Sequence, residues 1–202
     1  MSQIALPLAH GGAGPARIVI GPGNARVAEA LAAPETWPFR TAVLTGPPRS
    51  GKSLFARWFA QSGRGEAIDD AHRLDETALF HRWNRAQEQG QALLLVGGEP
   101  PWHIALPDLR SRLGAALQLA IGAPDDAMAR ELLLSLAAER GLSLGDEAAD
   151  YLIPRAGRSH AEIEALVRTI DRLSLERKAP PTLSIWRSAL ECLHGPEEPR
   201  LL

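Results

Sequence analysis

The sequence predicts an α/β fold with a parallel sheet, followed by a small all-α domain. Three observations support this prediction. A glycine-rich loop, residues 46–53, lies between a strand-like apolar run and a helix-like run. The run Ala92–Val96 has the continuous apolar character of a strand that is buried on both faces. After Gly122, apolar residues recur only at helical spacing, so the remaining chain is expected to be helical.

Composition excludes several classes of protein. The 202 residues carry a formal net charge of −2, which gives no general attraction to nucleic acid or to anionic membranes. The single cysteine, Cys192, excludes an internal disulfide and a cysteine metal cluster. No apolar run reaches membrane-spanning length, and the N-terminus lacks the pattern of a signal peptide. We therefore expect a cytoplasmic protein.

The glycine-rich loop fits the phosphate-binding pattern Gly-x-x-x-x-Gly-Lys-Ser/Thr without a mismatch. Backbone N–H groups and the dipole of the following helix converge on phosphate oxygens at such a loop. The expected nucleotide-binding residues are Gly46, Pro47, Pro48, Arg49, Ser50, Gly51, Lys52, Ser53 and Leu54. Lys52 is expected to reach the β- and γ-phosphates, and the Ser53 hydroxyl to ligate Mg²⁺. The alternative is a chance match in a glycine-rich turn.

Two aspartates follow the next short apolar segment. Phosphate-loop enzymes need a carboxylate at the end of an adjacent strand, to hold Mg²⁺ and to position water. Asp69 and Asp70 are the catalytic candidates, and Asp69 is the candidate metal ligand beside Ser53. A helix cap would also explain two aspartates at this place.

The N-terminal residues 1–8 are apolar and precede a glycine-rich linker. An edge strand or a loose tail would account for them. The alternative is a docking peptide, in which Gln3 forms hydrogen bonds while Leu6 and Leu8 fill an apolar groove.

Further elements follow in order along the chain. Helical spacing predicts helices over residues 25–32 and 74–89, and residues 116–121 suit a final strand. Beyond Gly122, helices are expected over residues 125–140, over 146–153, from the capping box Ser159–Glu162 onward, and over 182–193. The predicted domains are a peptide and linker (1–12), an α/β domain (13–122), a helical domain (123–195) and a loose tail (196–202). A cleft between the two domains is expected to cover the nucleotide.

These elements, in this order, resemble the AAA+ ATPases and, within them, the Hda family of DnaA-related regulators. Residues 3–8 are similar to the sliding-clamp-binding peptide of that family, and residues 20–24 resemble its turn beside the adenine. Residues 106–113 look like the segment that carries the arginine finger, which falls on Arg112. The resemblance implies a three-layer αβα domain followed by a helical lid, binding ADP or ATP with Mg²⁺. It adds Val19, Ile20, Asn24 and Arg158 as nucleotide-binding residues and Gln3, Ile4, Leu6, Pro7 and Leu8 as clamp-binding residues.

The activity implied by the resemblance is regulatory inactivation of DnaA. Bound to nucleotide and to the β sliding clamp of DNA polymerase III, such a protein stimulates ATP hydrolysis by DnaA. An arginine supplied to a neighbour's γ-phosphate neutralises charge in the transition state. DNA is then contacted only indirectly, and a homodimer is left open. The alternative for Arg112 is a solvated arginine at a helix end.

The chain departs from the family pattern at three places. Residues 54–67 are too few for the strand–helix unit usual there, so the sheet is expected to have one strand fewer. Gly98 and Glu99 stand where a polar sensor residue is expected, and Ala161 stands where an arginine is expected. Arg158, one turn earlier, is either a substitute or an exposed surface charge. These losses remove groups that stabilise the γ-phosphate, so intrinsic hydrolysis is expected to be weak or absent.

Three rival functions remain. The first is a self-sufficient AAA+ ATPase that acts as a motor or loader in DNA replication, in which Lys52, Asp69 and Asp70 turn over ATP. The second is a small-molecule phosphotransferase, and the third is a bridge between clamp and DnaA whose nucleotide never changes.

Overall fold

The computed structural model describes residues 6–7 and 17–195. The clamp-binding candidates Gln3, Ile4 and Leu8, and the predicted tail 196–202, lie outside the described residues. Residues 22–122 form one compact unit. The helices from Ala123 onward form another, together with the described residues up to Gly21. The division at Ala123 coincides with the position at which strand-like patterns end in the sequence, whereas residues 17–21, assigned from sequence to the α/β domain, belong to the helical unit.

The helical unit begins with two short strands, β1 (Leu6–Pro7) and β2 (Arg17–Ile18). They pair antiparallel, with Leu6 opposite Ile18. Leu6 and Pro7 are therefore in the strand arrangement that was one alternative for the N-terminal peptide.

The α/β unit contains a sheet of four parallel strands. They are β3 (Thr41–Thr45), β4 (Gly65–Ile68), β5 (Ala92–Val96) and β6 (Leu117–Ala120), in the spatial order β4-β5-β3-β6. Val43 lies opposite Leu95 on one side and Gln118 on the other. Every residue of β5 is buried, as its unbroken apolar run predicts.

Four helices cover this sheet: α1 (Ala25–Ala32), α2 (Lys52–Gln61), α3 (Glu76–Glu88) and α4 (Pro107–Ala115). Residues of α3 and α4 pack with Val43, Leu93 and Leu95 in one core. Alternate residues of a strand point to opposite faces, so Ala42 and Leu94 face the other layer. The predicted α/β fold with a parallel sheet is confirmed.

The chain passes directly from α2 to β4, without an intervening strand–helix unit. Gly65 makes this close passage possible. A Cβ atom there would lie 2.4 Å from the carbonyl oxygen of Ala92 and 2.8 Å from the Phe59 ring. The expected loss of one strand is confirmed, and β4 is consequently an edge strand of this sheet.

Two consecutive residues before β3 have left-handed backbone conformations. Phe39 has φ 51° and Arg40 has φ 46°. The Phe39 carbonyl accepts hydrogen bonds from the Thr41 hydroxyl (2.9 Å) and from Gln87 Nε2 (2.8 Å). Arg40 Nη1 donates to the Gly90 carbonyl at 2.7 Å. These bonds hold a turn that neither residue type favours by itself.

The helical unit contains α5 (Asp126–Glu139), α6 (Asp146–Leu152), α7 (His160–Arg177) and α8 (Leu183–His194). Its core is mainly aliphatic, with Leu133, Leu152 and Ile170 fully buried. The predicted capping box opens α7: the N–H of Glu162 donates to Ser159 Oγ, and the N–H of Ser159 donates to Glu162 Oε2, both at 3.1 Å. Among the described residues, no helix combines the length and the apolar character needed to cross a bilayer.

Candidate functional site: the phosphate loop and its surroundings

The loop of residues 46–53 joins β3 to α2, at the carboxyl edge of the parallel sheet. Ligands of α/β proteins bind at this edge. Gly51 precedes α2 with φ 89°, a conformation that glycine adopts without strain. At Gly46, a Cβ atom would lie 3.1 Å from the Ile121 side chain and 3.2 Å from Ser50 Oγ. The two glycines thus keep the loop tight around the start of the helix.

The side chain of Lys52 lies against the backbone of the loop that precedes it. Its Nζ donates to the carbonyl oxygens of Gly46 and Pro47, each at 2.8 Å. Burial lowers the pKa of Lys52, while the carboxylates of Asp69, Glu99 and Asp70 oppose this shift. The ammonium therefore lies where the loop can present it to a phosphate, close to the acidic residues predicted for the site.

The Ser50 hydroxyl has no described partner. Its oxygen is buried, the residue is only 5% exposed, and no hydrogen bond reaches it from the described part of the chain. A buried hydroxyl usually has an acceptor or donor beside it. A phosphate oxygen in the loop would provide one, so the residues present fit a bound nucleotide.

Asp69 and Asp70 follow β4 at the same edge of the sheet, and both are exposed. Asp70 has φ 49°, and its N–H donates to Asp69 Oδ1 at 3.0 Å. An ion pair of 3.9 Å joins Asp70 to Arg73. No group of three metal-ligating side chains occurs within residues 6–7 and 17–195. A magnesium ion would therefore take most of its ligands from phosphate and water, as Mg²⁺ commonly does.

His72 and Trp102 lie next to this site, and sequence analysis did not single them out. The two rings meet edge to face, with centroids 6.5 Å apart and planes at 83°. A Cβ atom on Gly98 would lie 3.3 Å from His72 Nε2, and one on Gly97 would lie 3.2 Å from the Trp102 ring. The only sequence signal for His72 is its position three residues after Asp69, in the turn Ala71–Arg73 that follows β4.

Arg112 is docked against α3. Its guanidinium carbon lies 4.3 Å from the centre of the Trp83 ring and 4.8 Å from that of Phe80. Its Nη1 donates to Asn84 Oδ1 at 3.1 Å. The neighbouring Arg110 is exposed, and its side chain has no hydrogen-bond or ion-pair partner in the described part of the chain. Arg112 is thus half-buried and oriented, in contrast to a solvated arginine at a helix end.

The other predicted nucleotide residues lie in both units. In the helical unit, Val19 and Ile20 are half-buried. Asn24 is 3% exposed in the α/β unit, and its carbonyl accepts from Val27 and Ala28 as α1 begins. Leu54 is half-buried in the first turn of α2.

Arg158 forms an ion pair with Asp126 at 3.6 Å, and both side chains are largely exposed. This geometry corresponds to the surface-charge alternative for Arg158. The predicted substitution of Arg158 for the missing sensor arginine remains a prediction.

Comparison with known proteins gives one family match. Residues 126–187 match the model of the Hda lid domain. An uncharacterised protein of Haemophilus influenzae is 32% identical over 119 residues, which are 57% of this chain and 51% of that protein. The match thus spans about half the length of this relative.

Two solved structures of DnaA are similar in fold. Domain III of DnaA from Thermotoga maritima superposes with a TM-score of 0.71 at 14% identity, covering 89% of this chain and 95% of that one. AMPPCP-bound DnaA from Aquifex aeolicus gives 0.61 at 18% identity, covering 80% and 66%. The AAA+ fold expected from the resemblance is thereby confirmed.

Proposed function

We propose that this chain, whose residues 126–187 match the Hda lid model and whose fold is similar to that of DnaA, regulates the initiation of DNA replication. The observation that carries this proposal is the Hda-type lid sequence at residues 126–187, in the same chain as a complete phosphate loop. The proposed activity is stimulation of ATP hydrolysis by DnaA, with this chain acting as a nucleotide-bound adaptor.

The resident ligand in this proposal is ADP or ATP with Mg²⁺. Lys52 and the buried Ser50 hydroxyl supply polar groups inside the loop, and the DnaA of Aquifex aeolicus carries AMPPCP on the same fold. Ser53 and Asp69 would hold the magnesium ion beside the phosphates. Nucleotide released on denaturing the purified protein identifies the ligand. ADP retained through purification supports an adaptor, whereas a purified protein that neither retains nor binds a nucleotide contradicts the proposal.

Arg112 is the proposed arginine finger. An arginine placed at a neighbour's γ-phosphate can raise the rate of hydrolysis by about 10³–10⁵. The contacts with Trp83, Phe80 and Asn84 support this role because they hold the guanidinium on a helical scaffold.

The test compares Arg112→Ala with its neighbour Arg110→Ala in an assay of ATP hydrolysis by DnaA. Arg112→Ala is expected to abolish stimulation while its affinity for nucleotide stays at the wild-type value. Arg110→Ala controls for the loss of one positive charge on α4 and is expected to remain active. Full stimulation by Arg112→Ala would refute the finger assignment.

The N-terminal residues Gln3, Ile4, Leu6, Pro7 and Leu8 are the proposed contact with the β sliding clamp. Tethering raises the effective concentration of partners that are assembled on one clamp. The double variant Gln3→Ala with Leu6→Ala is expected to lose clamp binding in a pull-down, with nucleotide affinity unchanged as the control. Unaltered clamp binding would end this part of the proposal.

A self-sufficient ATPase is the alternative function. The observation in its favour is that Asp69 and Asp70 follow β4 at the sheet edge that carries the loop, where their carboxylates and that of Glu99 favour the charged form of Lys52. Steady phosphate release by the purified chain, absent in Lys52→Ala, would favour a motor or loader. The adaptor proposal expects little release from the chain without DnaA.

A further inference from the structure

The imidazole of His72 occupies the space that a side chain at position 98 would enter. A Cβ atom on Gly98 would lie 3.3 Å from His72 Nε2 and 3.4 Å from its Cδ2. Glycine at position 98 therefore leaves room for the His72 ring, which belongs to the segment after β4. That ring belongs to the turn immediately after Asp69 and Asp70.

Gly98 joins this ring to the phosphate loop. The N–H of Gly46, the first loop residue, points to the Gly98 carbonyl at 3.5 Å. The Gly46 carbonyl in turn accepts a hydrogen bond from the Lys52 ammonium at 2.8 Å. Gly98, which leaves the space that the His72 ring occupies, is thus connected through Gly46 to the lysine that is expected to meet the β- and γ-phosphates.

The ring is held by packing and remains open to a ligand. It packs edge to face with the Trp102 ring, and the residue as a whole is exposed. An imidazole can donate a hydrogen bond from one nitrogen whether it is neutral or charged. Such a donor at the carboxyl edge of the sheet can bond to a phosphate oxygen.

We propose that His72 contacts the terminal phosphate of a bound nucleoside triphosphate, supplying from the turn after β4 a polar contact that Gly98 cannot supply. This inference rests on the proposed nucleotide binding and deepens it. His72 would then distinguish a nucleoside triphosphate from a diphosphate, because a diphosphate lacks the terminal phosphate that the imidazole contacts.

The test measures the affinities for AMPPCP and ADP by calorimetry at one Mg²⁺ concentration. One hydrogen bond to a charged group corresponds to an affinity change of about tenfold. His72→Ala is therefore expected to weaken AMPPCP binding by about tenfold while ADP binding stays within about twofold of wild type. His72→Gln, which keeps an N–H donor, is expected to lose less than His72→Ala. The matched control is His81→Ala, which removes a histidine on α3 whose ring contacts Phe80.

A second variant tests the shared space directly. In His72→Ala the ring is gone, so a side chain at position 98 can be accommodated. The double variant His72→Ala with Gly98→Asn is expected to recover AMPPCP affinity through the new amide. If the double variant does not recover AMPPCP affinity, the His72 ring does not make the contact that a polar side chain at position 98 would make.

The outcomes separate this inference from the proposed function. A wild-type protein that binds neither nucleotide contradicts nucleotide binding itself, and the inference falls with it. Wild-type binding with an unchanged AMPPCP-to-ADP ratio in His72→Ala overturns the inference alone. An equal loss for both nucleotides also overturns it, because packing against Trp102 would then be the role of the ring.

Discussion

The guanidinium carbon of Arg112 lies 4.3 Å from the centre of the Trp83 ring, and the same side chain donates a hydrogen bond to Asn84. This pairing fastens α4 to α3. Trp83 is itself fixed, since its Nε1 donates to Thr41 Oγ1 at 3.1 Å. The proposed finger therefore starts from an oriented position on the body of the α/β unit.

A contribution of Arg112 to stability follows from these contacts. Arg112→Ala is expected to lower the free energy of unfolding by about 1–2 kcal/mol, through the loss of cation–π contact and one hydrogen bond. Arg110→Ala, at an exposed position on the same helix, is expected to stay within about 0.5 kcal/mol of wild type. Urea denaturation measures both values. Equal values for the two variants would contradict the docking of Arg112 in solution.

Lys52 makes nucleotide binding depend on pH. Its pKa in the folded protein is lowered from 10.5, first of all by burial, so the ammonium loses its proton at a lower pH than an exposed lysine does. Phosphate binds the charged form, so the affinity for ADP is expected to fall with rising pH, beginning at a lower pH than an exposed lysine would cause. Lys52→Arg keeps its charge throughout the alkaline range and is expected to show a flatter profile. Parallel profiles for the two proteins would contradict this role of Lys52.

Gly65 is expected to tolerate no side chain. Gly65→Ala places a methyl group against the Ala92 carbonyl and the Phe59 ring, which should cost about 1–3 kcal/mol of unfolding free energy. The control is Gly114→Ala in α4, where a Cβ atom meets nothing within 4 Å. That substitution is expected to stabilise by up to about 1 kcal/mol because alanine favours helix. Thermal unfolding measures the stability of both variants. A Gly65→Ala variant as stable as wild type would show that α2 and β4 can move apart to accept the methyl group.

The capping box of α7 gives a prediction for the helical unit. Ser159→Ala removes the acceptor of the Glu162 N–H and is expected to cost about 1 kcal/mol. Ser143→Ala, at an exposed position outside the helices, is the control and should change stability by less than about 0.5 kcal/mol. Chemical denaturation distinguishes the two. A neutral Ser159→Ala would mean that α7 is held by packing alone.

Sequence reasoning succeeded where the determining pattern is local. The strand–loop–helix arrangement around residues 46–53, strand β5 and the Ser159 cap each depend on a few neighbouring residues, whose spacing carries the geometry. The absence of one strand could be predicted because residues 54–67 leave no room for it.

It failed where distant residues impose the geometry. The His72 ring occupies the space that a side chain at position 98 would enter, and no spacing along the chain encodes this meeting of two separate strand ends. The docking of Arg112 depends on two aromatic rings and on Asn84, all on another helix, α3. The left-handed Phe39 is held by Gln87, a tertiary contact that overrides local preference.

The position of β4 at the margin of the sheet has a consequence for solubility. The outer side of an edge strand can recruit a strand from another molecule and so begin aggregation. Here the strand has only four residues, and Glu66 within it forms an ion pair with Arg82. A short strand that carries a fixed charge pair is a poor template for intermolecular pairing. The sheet thus lacks one strand, yet β4 does not present a long apolar edge at which other molecules could pair.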